Sequence, residues 1–142
     1  MKKIVFISIS FCLLLCGCNQ TKKVVADAPP AKLSGFFTVI SINGEQIDSP
    51  AVLEFKMEDK KIWGNAGCND FAAGYTQRGN LIDIDQFTST KAYCEGAMKN
   101  ELAIQRALRK VGSFDLSNTR LILYSVTDKK QLLMATKNKE QL

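Results

Sequence analysis

The sequence predicts an α+β domain in which one sheet of short strands carries a single helix. Apolar and β-branched residues recur in short segments bounded by turn signals, and the gaps between most of these segments are short enough for hairpins. One segment alone has helical periodicity. The chain has 142 residues, of which 46% are hydrophobic and 23% charged, and this suits one domain with a short additional segment.

Segments rich in β-branched and aromatic residues predict the strands. The first of them, FFTVISI, stops at Asn43-Gly44, a strong signal for a two-residue hairpin turn. Residues 57–59, 78–80 and 128–130 likewise predict turns between neighbouring segments. The predicted strands are residues 36–42, 52–56, 60–64, 71–76, 81–85, 113–116, 120–125 and 131–136.

Residues 96–111 predict the helix. The segment consists of strong helix formers, Glu95 precedes it, and Gly112 follows it as a stop signal. We expect its apolar face to fill the core of the sheet and its basic opposite face to be solvated. The residues on the predicted apolar face are Ala97, Ile104, Leu108 and Val111.

Glu101 interrupts that apolar face. A carboxylate buried there costs several kcal/mol unless it is hydrogen-bonded or paired. One interpretation is a catalytic acid, for example of a hydrolase that pairs Glu101 with Asp70. The favoured interpretation is a structural clamp that accepts backbone N–H groups from an irregular loop, either residues 69–70 or residues 88–90.

The N-terminus predicts export. Lys2 and Lys3 precede an apolar run of signal-peptide length at residues 4–15, which is short for a membrane span. Leu15-Cys16-Gly17-Cys18 resembles a bacterial lipobox, although Cys16 stands where Ala or Ser is usual. The resemblance implies cleavage before Cys18 and acylation of its thiol, while an ordinary signal peptide is the alternative.

These signals predict three segments. We expect a lipoprotein signal peptide at residues 1–17, a lipid-anchored flexible tether at 18–33 and the folded domain at 34–142. Asn19 after the lipidated cysteine favours an outer-membrane lipoprotein that faces the periplasm in a Gram-negative envelope. The acyl chains on Cys18 would attach the protein to the membrane. Export and a net charge of only +5 argue against a nucleic-acid partner.

Cys68 and Cys94 are the cysteines within the predicted domain. Two thiols in an oxidising compartment pair more often than they stay free, so a disulfide is the favoured prediction. Two inert buried thiols are the second interpretation, and a nucleophilic Cys68 is the third. Catalysis is disfavoured because the chain contains no histidine to act as the usual base.

Several blocks of the sequence, taken in order, resemble the META domain, the family of the HslJ-type heat-shock proteins. The blocks are GNAGCNDF at 64–71, STKAYC at 89–94, Met98 with Glu101, and LILY at 121–124. The departure is Lys91-Ala92-Tyr93, where the family more often has Arg-Met-Ala. Within these blocks the expected structural residues are Gly64, Gly67, Asn69, Thr90 and Glu101.

The resemblance implies a strongly curved antiparallel sheet, wrapped as an open or cracked barrel around one helix. It implies no catalytic residues, no cofactor and no metal. The family is linked to heat and antibiotic stress, so we expect a monomeric, non-enzymatic protein that binds a protein or an apolar ligand. The alternative is a pilot-like assembly lipoprotein whose cracked barrel holds an acyl chain or a partner's helix.

Overall fold

Eight antiparallel strands and one helix make up the part of the chain described by a computed structural model, residues 31–139. The strands follow chain order around a closed barrel, and the last strand pairs with the first. The predicted single domain with a curved antiparallel sheet and one helix is confirmed. The elements are β1 Gly35–Ile42, β2 Glu45–Lys56, β3 Lys61–Asn65, β4 Asp70–Arg78, β5 Leu81–Ser89, α1 Ala97–Leu108, β6 Val111–Leu116, β7 Arg120–Ser125 and β8 Gln131–Lys137.

The first hairpin forms where the sequence predicts it. Asn43 and Gly44 have φ angles of 51° and 86°, as a type I′ turn requires at both central residues. β2 begins at Glu45, well before the predicted start at residue 52. Its first half was missed because it is polar and contains Pro50, so no apolar alternation marks it.

Large inward-facing side chains fill the barrel. The rings of Phe37 and Phe55 meet edge to face, with centroids 5.7 Å apart. The side chains that are almost fully buried include Phe37, Phe55, Phe71, Phe114, Leu53, Ile62, Leu121 and Leu133. The interior is therefore a packed core built from every part of the sheet.

The barrel is closed most weakly between β5 and β6. A single residue pair, Leu81 with Ser113, joins these strands, together with a hydrogen bond from the Phe114 N–H to the Asn80 carbonyl at 2.9 Å. α1 connects the two strands and contacts β1, β2 and β8. The expected cracked barrel is thus a closed barrel with one short seam.

The helix ends earlier than predicted. Its buried residues are Glu101, Ile104, Ala107 and Leu108, and its C-cap is Arg109. Val111, which was predicted on the helix face, instead starts β6 and pairs with Ser125. A Cβ on Gly112 would lie 2.6 Å from Val126, so the missing side chain lets the two strands approach there.

The folded domain starts before the predicted boundary at residue 34. Leu33, which we assigned to the tether, has 0% of its surface exposed. The Tyr75 hydroxyl donates to the Leu33 carbonyl at 3.2 Å, and Gln77 Nε2 donates to the Ala31 carbonyl at 2.6 Å. Because these contacts come from β4, no local pattern around residue 33 signals them. The signal peptide, Cys18 and most of the tether lie outside the described residues.

Candidate functional site

The turn after β3 is built by Asn65. Its Oδ1 accepts the Gly67 N–H at 2.8 Å, and its Nδ2 donates to Asp70 Oδ1 at 2.7 Å. Gly67 has a φ of +98°, which side-chain-bearing residues rarely adopt. A Cβ on Gly64 would lie 2.2 Å from the Phe71 ring, so this glycine makes room for the ring. Gly64 and Gly67 therefore have local steric roles in this turn.

A disulfide joins Cys68 in this turn to Cys94 in the segment before α1. These two cysteines are the pair that the sequence predicts. The bridge closes a loop with a sequence separation of 26 and holds the turn against the approach to the helix. With its sulfur in that bond, Cys68 is not a nucleophile, and the third interpretation of this residue does not apply to this structure.

Asn69 and Glu101 form the centre of a buried polar cluster, which also contains Thr90, Gln105 and the backbone of Ala92. Glu101 Oε2 accepts two hydrogen bonds from Asn69, one from the backbone N–H at 3.1 Å and one from Nδ2 at 3.0 Å. Asn69 and Glu101 are 2% and 4% exposed. The carboxylate thus stabilises the irregular loop at residue 69 by accepting its donors.

The remaining groups of the polar cluster are also paired. Asn69 Oδ1 accepts from Thr90 Oγ1 at 2.7 Å and from the Ala92 N–H at 2.8 Å. Glu101 Oε1 accepts from Gln105 Nε2 at 3.3 Å. A polar network in which each member is satisfied fixes one arrangement of the loops around it.

This arrangement makes Glu101 a structural clamp rather than half of a carboxylate pair. Glu101 bonds to Asn69, whereas Asp70 bonds to Asn65. The hydrolase interpretation pairs Glu101 with Asp70, and the hydrogen bonds of Glu101 and Asp70 do not join the two carboxylates to each other. The geometry observed is a clamp onto the loop at residues 69–70, made through Asn69.

A second feature was missed by the sequence reasoning: an exposed aromatic row on the outside of β1–β5. Phe36 pairs with Glu54, Glu54 with Trp63, Trp63 with Ala72, and Ala72 with Thr88. Trp63 and Phe36 are 44% and 47% exposed. We call the surface formed by this row, together with Asn65 and Asp70, the Trp63 face.

Polar and charged groups surround Trp63. The Lys56 ammonium lies 6.0 Å from the centre of the indole ring and 3.6 Å from Glu54 Oε1. Shallow depressions of about 260 and 230 Å³ lie on the two sides of the ring. Alternation with buried Phe37 and Ile62 marks Phe36 and Trp63 as outward-facing, but only the cross-strand register brings them into one row.

Comparison with protein-family models shows which family the chain belongs to. The family model described as the META domain matches residues 31–139. The chain belongs to the META domain family. The expected resemblance is therefore confirmed over all the residues that the structure describes.

Similar solved structures support the META fold. An NMR structure of one protein has 22% identity and a TM-score of 0.58, covering 72% of this chain and 88% of that one. An NMR structure from Burkholderia xenovorans has 14% identity and a TM-score of 0.58, covering 75% and 83%. The crystal structure of a DUF4847 family protein from Bacteroides vulgatus has 14% identity and a TM-score of 0.56, covering 75% and 94%.

No curated protein matches the chain significantly. Among residues 31–139, α1 falls short of the length and apolar character that a membrane-crossing helix needs.

Proposed function

We propose that this META domain protein is a non-enzymatic, lipid-anchored envelope protein that takes part in heat or antibiotic stress tolerance by binding a partner protein. The observation that carries the proposal is the Trp63 face. An exposed tryptophan and phenylalanine, two strands apart in one row, leave apolar surface that the described chain does not cover.

A protein partner fits this surface better than a small apolar ligand. Ligand pockets usually enclose about 300–1,000 Å³. The depressions beside Trp63 are smaller, at about 260 and 230 Å³, and they are shallow. Tryptophan is enriched among residues that dominate the free energy of protein association, and the charged groups Lys56, Glu54 and Asp70 around it resemble a polar rim.

Site-specific photo-crosslinking in the native envelope tests the proposal. A photoreactive residue at Thr88 lies in the same row as Trp63 and leaves the aromatic rings in place. We expect one discrete cross-linked protein from this position and none from a probe at Lys99 on the exposed side of α1. The cross-link should disappear when Trp63→Thr is added. An identical cross-link in the presence of Trp63→Thr would contradict the proposed surface.

Membrane attachment is proposed separately from partner binding. The motif Leu15-Cys16-Gly17-Cys18 supports acylation at Cys18, and several acyl chains would hold the protein firmly because each buried methylene contributes about 0.8 kcal/mol. Cys18→Ser should release the protein from sedimented membranes. Separation of inner and outer membranes then shows which of the two holds the protein with Cys18 intact. Persistent membrane association of the variant would exclude the lipid anchor.

The pilot-like alternative has one observation in its favour, the short seam between β5 and β6. An acyl chain or a partner's helix would have to displace part of the core to enter at that seam, because buried side chains such as Phe37 and Phe114 occupy the interior. Mass spectrometry of an organic extract of the purified Cys18→Ser protein tests it. A stoichiometric bound lipid would favour this alternative over the Trp63 face.

A further inference from the structure

A cavity outside the two regions above lies beside the end of β4 and has a volume of about 670 Å³. We call it the basic cavity. Three cationic side chains line it: Lys32 before β1, Lys60 in the turn between β2 and β3, and Arg78 at the end of β4. Met57 and Tyr75 supply apolar surface beside them.

Hydrogen bonds fix the backbone at two of the three cationic residues, Lys32 and Lys60. Lys32 lies between Ala31 and Leu33, which are fastened to β4 by Gln77 and Tyr75. Lys60 has a φ of 51°, and its carbonyl accepts the Tyr75 N–H at 2.9 Å. The segment that we first assigned to the tether therefore has a specific position, and that position brings Lys32 to the cavity.

Among the described residues, no carboxylate forms a salt bridge with the cations of the basic cavity. Within residues 31–139, the two salt bridges are Lys56 with Glu54 and Lys130 with Asp128, and neither involves the cavity. Glu58 is the acidic group whose charge reaches Tyr75, where it adds to the effect of burial in raising the pKa of the hydroxyl. The three cations outnumber Glu58 and its neighbour Asp59, the acidic residues of the turn that carries Lys60, and this leaves an excess of positive charge.

We propose that the basic cavity binds a phosphate group, carried either by an anionic lipid headgroup or by a soluble phosphorylated molecule. Arginine and lysine around a concave site form charge-assisted hydrogen bonds with phosphate oxygens. Met57, which is 40% exposed, and the Tyr75 ring would contact the apolar part of such a ligand. The site is separate from the Trp63 face and does not depend on the partner proposed there.

Calorimetric titration of the full chain in nonionic detergent tests the site with three probes. The probes are inorganic phosphate, dihexanoyl phosphatidylglycerol and, as a zwitterionic control, dihexanoyl phosphatidylcholine. Binding of either anionic probe more tightly than phosphatidylcholine is expected. Tighter binding of phosphatidylglycerol than of phosphate assigns the site to a lipid headgroup, and the reverse order assigns it to a soluble phosphorylated ligand.

Matched variants locate the binding. Lys60→Gln with Arg78→Gln should weaken binding about tenfold or more, because two charge-assisted contacts are lost. Lys99→Gln removes one exposed cation from α1 and should change the affinity less than about twofold, whereas Glu58→Gln should tighten binding about twofold. Unchanged thermal unfolding of each variant excludes a folding defect. The site is refuted if neither anionic probe binds, if phosphatidylcholine binds equally, or if Lys60 and Arg78 matter no more than Lys99.

Discussion

The polar cluster around Glu101 and the Trp63 face share one short segment of the chain, yet they differ in whether their side chains have partners within the protein. Along residues 63–70, Asn69 points inward to Glu101, while Trp63, Asn65 and Asp70 are exposed. Inside, the carboxylate and amide groups have partners within the chain. Outside, the indole remains open to solvent. The inward-facing part of this segment is thus structural, whereas the partner surface that we propose lies on its exposed side.

The largest expected effect concerns the disulfide that fastens the inward-facing side. Reduction of the Cys68–Cys94 bond should lower the free energy of unfolding by about 3–4 kcal/mol, since a loop of this length is released in the unfolded chain. Denaturant unfolding with and without reductant measures the change. The double variant Cys68→Ser, Cys94→Ser should match the reduced protein and should not respond to reductant. Two free thiols in the non-reduced mature protein, by mass spectrometry, would refute the bond.

The next effect is the removal of charge from the polar cluster. Glu101→Gln should cost about 2–3 kcal/mol, because an amide cannot replace a carboxylate that accepts two donors from Asn69 and one from Gln105. Thermal and denaturant unfolding check this, with the exposed Glu95→Gln as the matched control. A variant with full stability that loses a measurable activity would instead revive the catalytic interpretation of Glu101.

A smaller effect on stability is expected at Gly64, near the end of β3. Gly64→Ala should destabilise the domain by about 1–3 kcal/mol, since its Cβ would meet the Phe71 ring at 2.2 Å. Phe71→Leu alone should also be destabilising. The double variant should lose less unfolding free energy than the sum of the two single losses, because the smaller side chain leaves room for the methyl group. A double-mutant cycle on unfolding free energies measures the coupling. Strict additivity would show that the two positions do not share this contact.

The smallest effect on stability is predicted for the outward-facing side. Trp63→Thr should change the free energy of unfolding by less than about 1 kcal/mol, because the side chain is 44% exposed and threonine keeps the strand propensity. The same change should reduce the cross-linked complex about 30-fold, as expected for a residue that dominates an interface. Tyr93→Ser, which removes another exposed aromatic ring, should leave the complex intact.

Local patterns predicted most of the secondary structure. The Asn43-Gly44 turn and β7 carry their signals within a few residues, and they appear as predicted. Glu101 was placed on the apolar side of α1 by helical periodicity alone, and one of its two expected loops, residues 69–70, is the one that it holds.

The features that the sequence did not predict depend on contacts between distant residues. Leu33 is ordered by Tyr75 and Gln77, more than 40 positions further along the chain. The Trp63 face requires the register of five strands, which no single strand encodes. The early end of α1 reflects the pairing of Val111 with Ser125, which overrides the helix propensity of its neighbours.

A paired comparison of Trp63→Thr and Glu101→Gln tests most directly whether architecture and binding occupy opposite sides of one segment. Both variants, each with the photoreactive residue at Thr88, are assayed for unfolding free energy and for the cross-linked complex under conditions in which both remain folded. The account predicts that Trp63→Thr loses the complex and keeps its stability, whereas Glu101→Gln loses stability and keeps the complex. Retention of the complex by Trp63→Thr, or its loss in folded Glu101→Gln, would contradict the account.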